Sequence, residues 1–287
     1  MPLVSNSVNA PLKLSLEPRM SAASIPFEES PDYVQSLARG LDVLRSFNSE
    51  SASMSLSEVS ERTGLARAAA RRSLLTLHHL GYVGQKGRQF FLTPKVLDLG
   101  FGYLSSLNLP ELAMPWMERL VQKVHESTSM SVLDGFDIVY VARVPVKRVM
   151  TISLGVGARL PAFVSSMGRI LLGGLPDLEL DRWIAAAPLK AHTSHTIFEP
   201  APLKAEILKA RKLGYSMVVQ ELEMGLCALA VPIRDRNGKV IAALNVGMQN
   251  QAGIKTHALE VVLPALKETQ AAIEHATAYR GDLGELR

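Results

Sequence analysis

Apolar residues recur at three- and four-residue spacing in three successive stretches between residues 34 and 80. Val34, Leu37, Leu41, Leu44 and Phe47 predict a first helix of about four turns with a single apolar stripe. Ser55 or Ser57 is placed to cap a short second helix carrying Leu56, Val59 and Ser60, which the Thr63-Gly64 pair closes. A third helix is expected from Ala66 to Leu80, stopping at Gly81. Tyr82-Val83, a turn over residues 84–88 and Gln89 to Leu92 then predict a short hairpin. Helix, helix, tight turn, helix and basic hairpin is the order of a winged helix-turn-helix.

After the hairpin, Thr93-Pro94 opens a further helix, Lys95 to about Asn108, with Leu97, Phe101, Leu104 and Leu107 or Asn108 on one side. Such a stripe on a lone linker would be costly to expose, so it is expected to pack on a second copy of the chain, or else on its own domain. From Pro110 onward helical and alternating patterns intermix. Helices are expected at Leu112–Glu126, Ser165–Leu172, Leu178–Ala186, Pro202–Leu213 and His257–Tyr279. Strands are expected at Ser129–Leu133, Ile138–Val144, Val149–Leu154, Tyr215–Gln220, Cys227–Arg234 and Val240–Met248. Hairpins join most strands and the helices fall between them, which makes the class α+β, an antiparallel sheet flanked by helices.

Composition narrows this picture. The 287 residues allow two domains, each with its own core, and no apolar run reaches the roughly 18 residues of a membrane span. The single cysteine, Cys227, excludes a disulfide framework and a multi-cysteine metal cluster, and the N-terminus lacks a signal pattern, so a cytoplasmic location is expected. Residues 1–31, rich in Ser, Pro and Ala, read as a mobile tail. The expected organisation is a tail at 1–31, the winged helix-turn-helix at 32–93, a linker helix at 94–109, a second domain at 110–280 and a short tail at 281–287.

The net charge of +4 looks unremarkable until it is divided. Tyr33 to Lys95 holds nine basic residues against four acidic ones, a net +5, whereas the rest holds 22 against 23, a net −1. The positive balance therefore belongs to the helical segment that reads as a DNA binder. At 100° per residue, Ala70, Ser73, Leu74 and Leu77 of the third helix share one side. Ala68, Ala69, Arg72, Thr76 and His79 lie opposite, with Arg67 and Arg71 on the flank. Guanidinium groups there can reach guanine edges or phosphates, and small alanines allow close approach to the groove floor. Ser57, Thr63, Lys86 and Arg88 are placed for phosphate contacts, which position without reading sequence. The other reading of the arginines is a solvated helix face.

For the second domain three readings compete. An enzyme needs a nucleophile, an acid–base pair, a metal or a cofactor loop. The seven histidines show no ligand spacing, Gly155-Val156-Gly157 is not a dinucleotide loop, no phosphate-binding P-loop occurs, and Cys227 lies on an apparently buried strand, so neither cofactor nor metal nor catalytic residue is expected. A ligand sensor fits the small and apolar residues at Val149–Leu154, Ser165–Gly168, Gly225–Ala228 and Asn245–Gly247. A domain that only dimerises is the third.

The stretch YVQSLARGL at residues 33–41, Gly64-Leu65-Ala66-Arg67, Arg71-Arg72-Ser73-Leu74-Leu75-Thr76-Leu77 and Leu80-Gly81-Tyr82-Val83 resembles the N-terminal domain of IclR-family regulators. Leu160-Pro161-Ala162-Phe163, Ser166-Met167-Gly168-Arg169-Ile170-Leu171-Leu172 and residues 225–233 resemble its C-terminal domain, and the likeness runs from Tyr33 to Ala276. The opening segment, Pro145–Ile152 and SSMGR are most similar to the PcaR/PcaU/PobR branch, which regulates protocatechuate, 4-hydroxybenzoate and β-ketoadipate catabolism. The resemblance implies a GAF-like effector-binding domain and a homodimer or tetramer. Its partners would be double-stranded operator DNA, RNA polymerase and a small carboxylic acid such as β-ketoadipate, protocatechuate or 4-hydroxybenzoate. It implies an activator, with a repressor answering another acid, or a dimerising protein without effector, as alternatives. The family's pocket positions fall on Val149, Ile152, Ser166, Met167, Leu226, Ala228, Asn245 and Gly247. Ser166-Met167 replaces a common Gly-Ala, Ala228 a cysteine, and Asn245 and Gly247 two serines, so the pocket is expected to be shaped for a ligand other than glyoxylate or pyruvate. Ala66 and Ala70 stand where Ser or Thr and Val are frequent, which removes a candidate helix cap. For an acidic effector, Arg148, Arg159 and Arg169 are the cations nearest in sequence, though each also reads as a surface ion pair. Ser165, Ser166 and Asn245 could orient a carboxylate or keto oxygen without charge.

Overall fold

The computed structural model describes residues 27–48, 50–99, 109–146 and 155–284. The chain forms two compact units that divide between Phe101 and Gly102. In the first, α1 (Gln35–Arg45), α2 (Leu56–Thr63) and α3 (Arg67–His79) pack with a three-stranded antiparallel sheet, order β1-β3-β2, of β1 (Ser53–Ser55), β2 (Val83–Lys86) and β3 (Gln89–Leu92). Local chemistry sets these boundaries. Ser55 accepts from the Glu58 amide while the Glu58 carboxylate accepts from the Ser55 amide at 2.7 Å, a full capping box. Gly64 ends α2 in the left-handed region, φ +66°, where a side chain would be strained. Ala66 caps α3 with no side-chain bond.

The core of this unit gathers Val43, Phe47, Met54, Val59, Ala70, Leu74, Leu77, Val83 and Phe90. The expected stripe of α1 is therefore corrected in part. Phe47 and Leu44 face the core beside Val43, but Val34, Leu37 and Leu41 stay exposed, Leu37 at 62%. The wing strands are also longer than expected, reaching Lys86 and leaving only Gly87-Arg88 as the turn, and β1 was not anticipated. Pro94–Val96 is a 3-10 turn and residues 97–99 are helical; the remainder of the expected linker helix lies outside the described residues. Phe27–Glu29 forms a 3-10 turn whose Phe27 ring meets Tyr33 edge-on, so the last residues of the expected tail are structured.

In the second unit a six-stranded antiparallel sheet has the order β6-β5-β4-β9-β8-β7. Its strands are β4 (Ser127–Asp134), β5 (Asp137–Val144), β6 (Arg159–Pro161), β7 (Ser216–Val219), β8 (Leu226–Arg234) and β9 (Val240–Gln249). One face packs on α4 (Leu109–Val124) and on the C-terminal helical run, burying Met117, Leu120, Leu229, Leu244 and Leu266. The run comprises α8 (Ile254–His257), a π-helical segment at Ala258–Val262 and α9 (Leu263–Gly284). The other face buries Ile138, Tyr140, Ala230 and Ala243 against α5 (Ser166–Gly173), α6 (Asp177–Ala186) and α7 (Pro200–Leu213). The expected strand at Val149–Leu154 lies outside the described residues, and β6 was not anticipated. Among the described residues no helix is long and apolar enough to cross a membrane.

Candidate DNA-reading face and ligand cavity

In the first unit α3 buries Ala70, Leu74 and Leu77 and turns Arg67, Ala68, Arg71, Arg72 and Thr76 outward. Lys86 and Arg88 stand exposed at the tip of the wing, and none of these five cations forms an ion pair among the described residues. Unpaired guanidinium groups on an exposed helix are the arrangement that meets a polyanion without first breaking an internal bond. Two predicted contacts are less free. Thr63 Oγ1 donates to the Val59 carbonyl at 2.7 Å and accepts from the Leu65 amide, and Thr76 Oγ1 donates to the Arg72 carbonyl at 2.9 Å. Ser57 is exposed in the first turn of α2.

The second unit encloses a cavity of about 390 Å³ between β4, β5, β8 and β9, the start of α5 and the segment at residues 220–225. Ser165, Ser166, Met167, Leu226, Ala228, Asn245 and Gly247 all line it, whereas Val149 and Ile152 lie outside the described residues. Their roles differ. Ser165 caps α5, its Oγ accepting from the Gly168 amide at 2.9 Å and donating to the Ala162 carbonyl. Met167 is fully buried, with Sδ accepting from Ser131 Oγ. Ser166 Oγ and Asn245 Oδ1, by contrast, are buried with no hydrogen-bond partner. An orphaned polar atom costs about 1–3 kcal/mol, and two beside one cavity mark groups that a ligand would satisfy.

The rim is held by a buried ion pair. Arg169 Nη2 donates to Glu221 Oε2 at 2.6 Å, with side-chain exposures of 2% and 7%, and the same oxygen accepts from the Ile197 amide. Arg169 is thus an internal strut, not the surface pair or ligand clamp the sequence suggested. Arg159 is exposed, pairs with Asp134 and Asp137 and does not line the cavity, and Arg148 lies outside the described residues. Thr193 and Thr196 hydroxyls donate to the carbonyls of Gln220 and Glu221, tying the rim to the 190s loop.

Sequence reasoning missed Arg143, Tyr140 and Ser129 on the cavity wall. A bulge between Met130 and Ser131 explains why. Ser129 pairs with Arg143 and Ser131 with Tyr140, so two residues three apart on β5 face the same side, which strict alternation forbids. Burial pushes the Tyr140 phenol up to about 12, the nearby Arg143 charge acting in the opposite sense, so its hydroxyl stays protonated as a donor. Cys227 is buried and its thiol is pushed up to about 11 by that burial, the state of a structural cysteine. Among the described residues no group of side chains is arranged to hold a metal.

The exposed cationic helix and basic wing place the first unit in the DNA-binding helix-turn-helix class. Comparison with known families agrees: the IclR helix-turn-helix domain matches residues 36–87 and the bacterial transcriptional regulator IclR C-terminal domain matches residues 101–275. The chain belongs to the IclR family of DNA-binding transcriptional regulators, which are not enzymes. It is 43% identical to the Pca regulon regulatory protein of Pseudomonas putida, over 84% of this chain and 85% of that one. It is 36% identical to the p-hydroxybenzoate hydroxylase transcriptional activator of Acinetobacter baylyi, over 83% and 90%. Among solved structures, an IclR homologue from Microbacterium hydrocarbonoxydans complexed with 4-hydroxybenzoate superposes with a TM-score of 0.74 at 27% identity, covering 84% of this chain and 98% of that one.

Proposed function

We propose that this protein is a cytoplasmic regulator of aromatic-acid degradation genes, whose C-terminal unit binds a small carboxylic acid of the β-ketoadipate, protocatechuate or 4-hydroxybenzoate kind. Occupancy of the cavity changes how the winged helices of a homodimer or tetramer engage operator DNA, and the protein acts as an activator that contacts RNA polymerase. The observation that carries this reading is the pair of orphaned polar atoms, Ser166 Oγ and Asn245 Oδ1, beside a 390 Å³ cavity. A relative complexed with 4-hydroxybenzoate supports the ligand class. Exposed Val34, Leu37 and Leu41 at the start of the first unit, and exposed Leu97 after its wing, support self-association there, since exposed apolar side chains gain by being covered. The segment at 94–109 joins the two functions. On DNA, Arg72 reads a base edge, Arg67, Arg71, Ala68 and Thr76 lie along the groove, and Ser57, Thr63, Lys86 and Arg88 meet phosphates.

Ligand action is a population shift: the acid moves the equilibrium between two DNA-binding arrangements only by its difference in affinity for them. A thermal-shift screen of aromatic acids and their ring-cleavage products tests the reading, because a ligand selective for the folded state raises stability by mass action. The expected result is a rise in melting temperature with one acid, and a changed gel-shift affinity for the operator with that same acid. A screen in which no acid stabilises the protein would leave a regulator whose second unit only dimerises.

A further inference from the structure

The cavity wall carries one cation, Arg143, whose place the fold arranges and which no carboxylate pairs among the described residues. Arg143 is half-buried on β5, lines the cavity and forms no ion pair among the described residues. It sits in a cross-strand row: Arg143 is paired with Ser129 on β4, and Ser129 with Asn245 on β9. Directly opposed residues of neighbouring strands project to the same face, so guanidinium, hydroxyl and carboxamide stand side by side along one wall. The bulge then adds the Tyr140 hydroxyl to that wall. Ser166, at the first turn of α5, approaches the same cavity from the helical side.

The acidic side chains around the cavity do not occupy Arg143. Glu221 is held by Arg169 and the Ile197 amide, Glu223 is exposed at the mouth, and Glu126 is itself engaged. A partly desolvated, unpaired guanidinium presents a planar donor fork that matches a carboxylate in two parallel bonds. Asn245 Oδ1, an acceptor, requires a donor such as a hydroxyl from whatever fills the space, and Ser166 Oγ can donate to or accept from an oxygen there.

We infer that Arg143 anchors the carboxylate of the ligand, and that a second polar group on the same molecule is read by Asn245 Oδ1 accepting from a hydroxyl and by Ser166 Oγ bonding a hydroxyl or donating to a keto oxygen. The inference rests on the proposed effector function and adds the residue that selects acids over neutral analogues. Neither conserved-looking sequence nor proximity in the chain points to Arg143; the row across β5, β4 and β9 does.

Titration calorimetry on the full chain tests it with three probes: 4-hydroxybenzoate, its uncharged isostere 4-hydroxybenzamide, and benzoate, which lacks the hydroxyl. Wild type is expected to prefer the acid to the amide by at least about tenfold, and Arg143→Gln to weaken the acid about 10- to 100-fold while leaving the amide nearly unchanged. Arg143→Lys restores part of the preference. Asn245→Ala shrinks the penalty for losing the ring hydroxyl without altering the acid-to-amide ratio. Circular dichroism checks the fold, and Arg143→Met replaces the glutamine variant if that one fails to fold, with the same collapse of the ratio expected. If the acid binds wild type and Arg143→Gln equally, or the ratio survives the substitution, Arg143 is not the anchor although the effector function stands. If wild type binds neither 4-hydroxybenzoate nor benzoate, and no acid in the thermal-shift screen stabilises it, the effector function fails and this inference with it.

Discussion

Arginine does opposite work in the two units. In the first, Arg67, Arg71 and Arg72 stand in solvent along α3 with no ion pair among the described residues. In the second, Arg159, Arg169 and Arg211 each meet an aspartate or glutamate. The difference separates cations that complete the fold from cations held ready for something outside it. Removing Arg169 leaves the buried Glu221 uncompensated; removing one of the cations held ready leaves the fold intact and the partner less tightly bound. Arg143, which has no ion pair among the described residues, belongs with the cations held ready although it lies in the second unit, which is why it stands out.

The sharpest way to break the comparison is to make the same substitution on both sides. Arg169→Ala strands Glu221 in the rim and is expected to cost about 3–5 kcal/mol of stability, read by chemical denaturation of the full chain. Arg169→Met with Glu221→Gln together should recover much of that loss, since a neutral pair has no orphaned charge to bury. If Arg169→Ala unfolded at the wild-type denaturant concentration, the pair would be ornamental and the division between the two kinds of arginine would fail.

Next in size is a backbone test of the same corner. Gly168 lies where α5 crosses the 3-10 turn before it, and an added Cβ would collide with the Ala162 backbone. Gly168→Ala is expected to cost about 1–3 kcal/mol by pushing α5 off that turn, and to weaken ligand-induced stabilisation along with it, because Ser165 and Ser166 move too. Calorimetric melting should show the loss in the second unit while the first keeps its own transition.

Arg72→Ala is the counterpart in the first unit. It is expected to change stability by no more than about 0.5 kcal/mol, yet to weaken operator binding by about 1–3 kcal/mol and to relax preference at one base position. Fluorescence anisotropy over a salt series and a panel of substituted operators measures both. Wild-type affinity at every salt concentration would remove Arg72 from the reading surface.

Much of the first unit was legible because its signals are local. The Ser55 cap, one of the two serines that local sequence offered, Gly64 and the face of α3 each depend on residues within a few positions. What was not legible depends on distant pairing. β1 is three residues long and exists through its bonds to β3, and β6 likewise through β5. The stripe of α1 shows a different limit: spacing reveals an apolar face without saying what covers it, and Val34, Leu37 and Leu41 are left uncovered within their own unit. Of the cavity, Ser166, Met167, Leu226, Ala228, Asn245 and Gly247 came from family resemblance and do line it. Arg143 and Tyr140 did not, because one inserted residue in β5 breaks the period of two on which a strand's faces are read.

The smallest effect concerns the wing, where position and reading are separated most finely. Lys86 and Arg88 flank the Gly87 turn at the tip of the hairpin, exposed and without an ion pair among the described residues. A side chain there can reach a phosphate but has no rigid frame to hold it against one base edge, unlike Arg72 on the second turn of α3. Neutralising it should therefore release about one fewer counterion, lowering the slope of log affinity against log salt by about 1 while leaving the ranking of operator variants unchanged. Lys86→Ala and Arg88→Ala, measured beside Arg72→Ala on the same operators, give the contrast directly. A wing substitution that reorders the operator variants would mean that the hairpin reads sequence, and the unpaired cations of the first unit would then form one reading surface instead of a reader and a clamp.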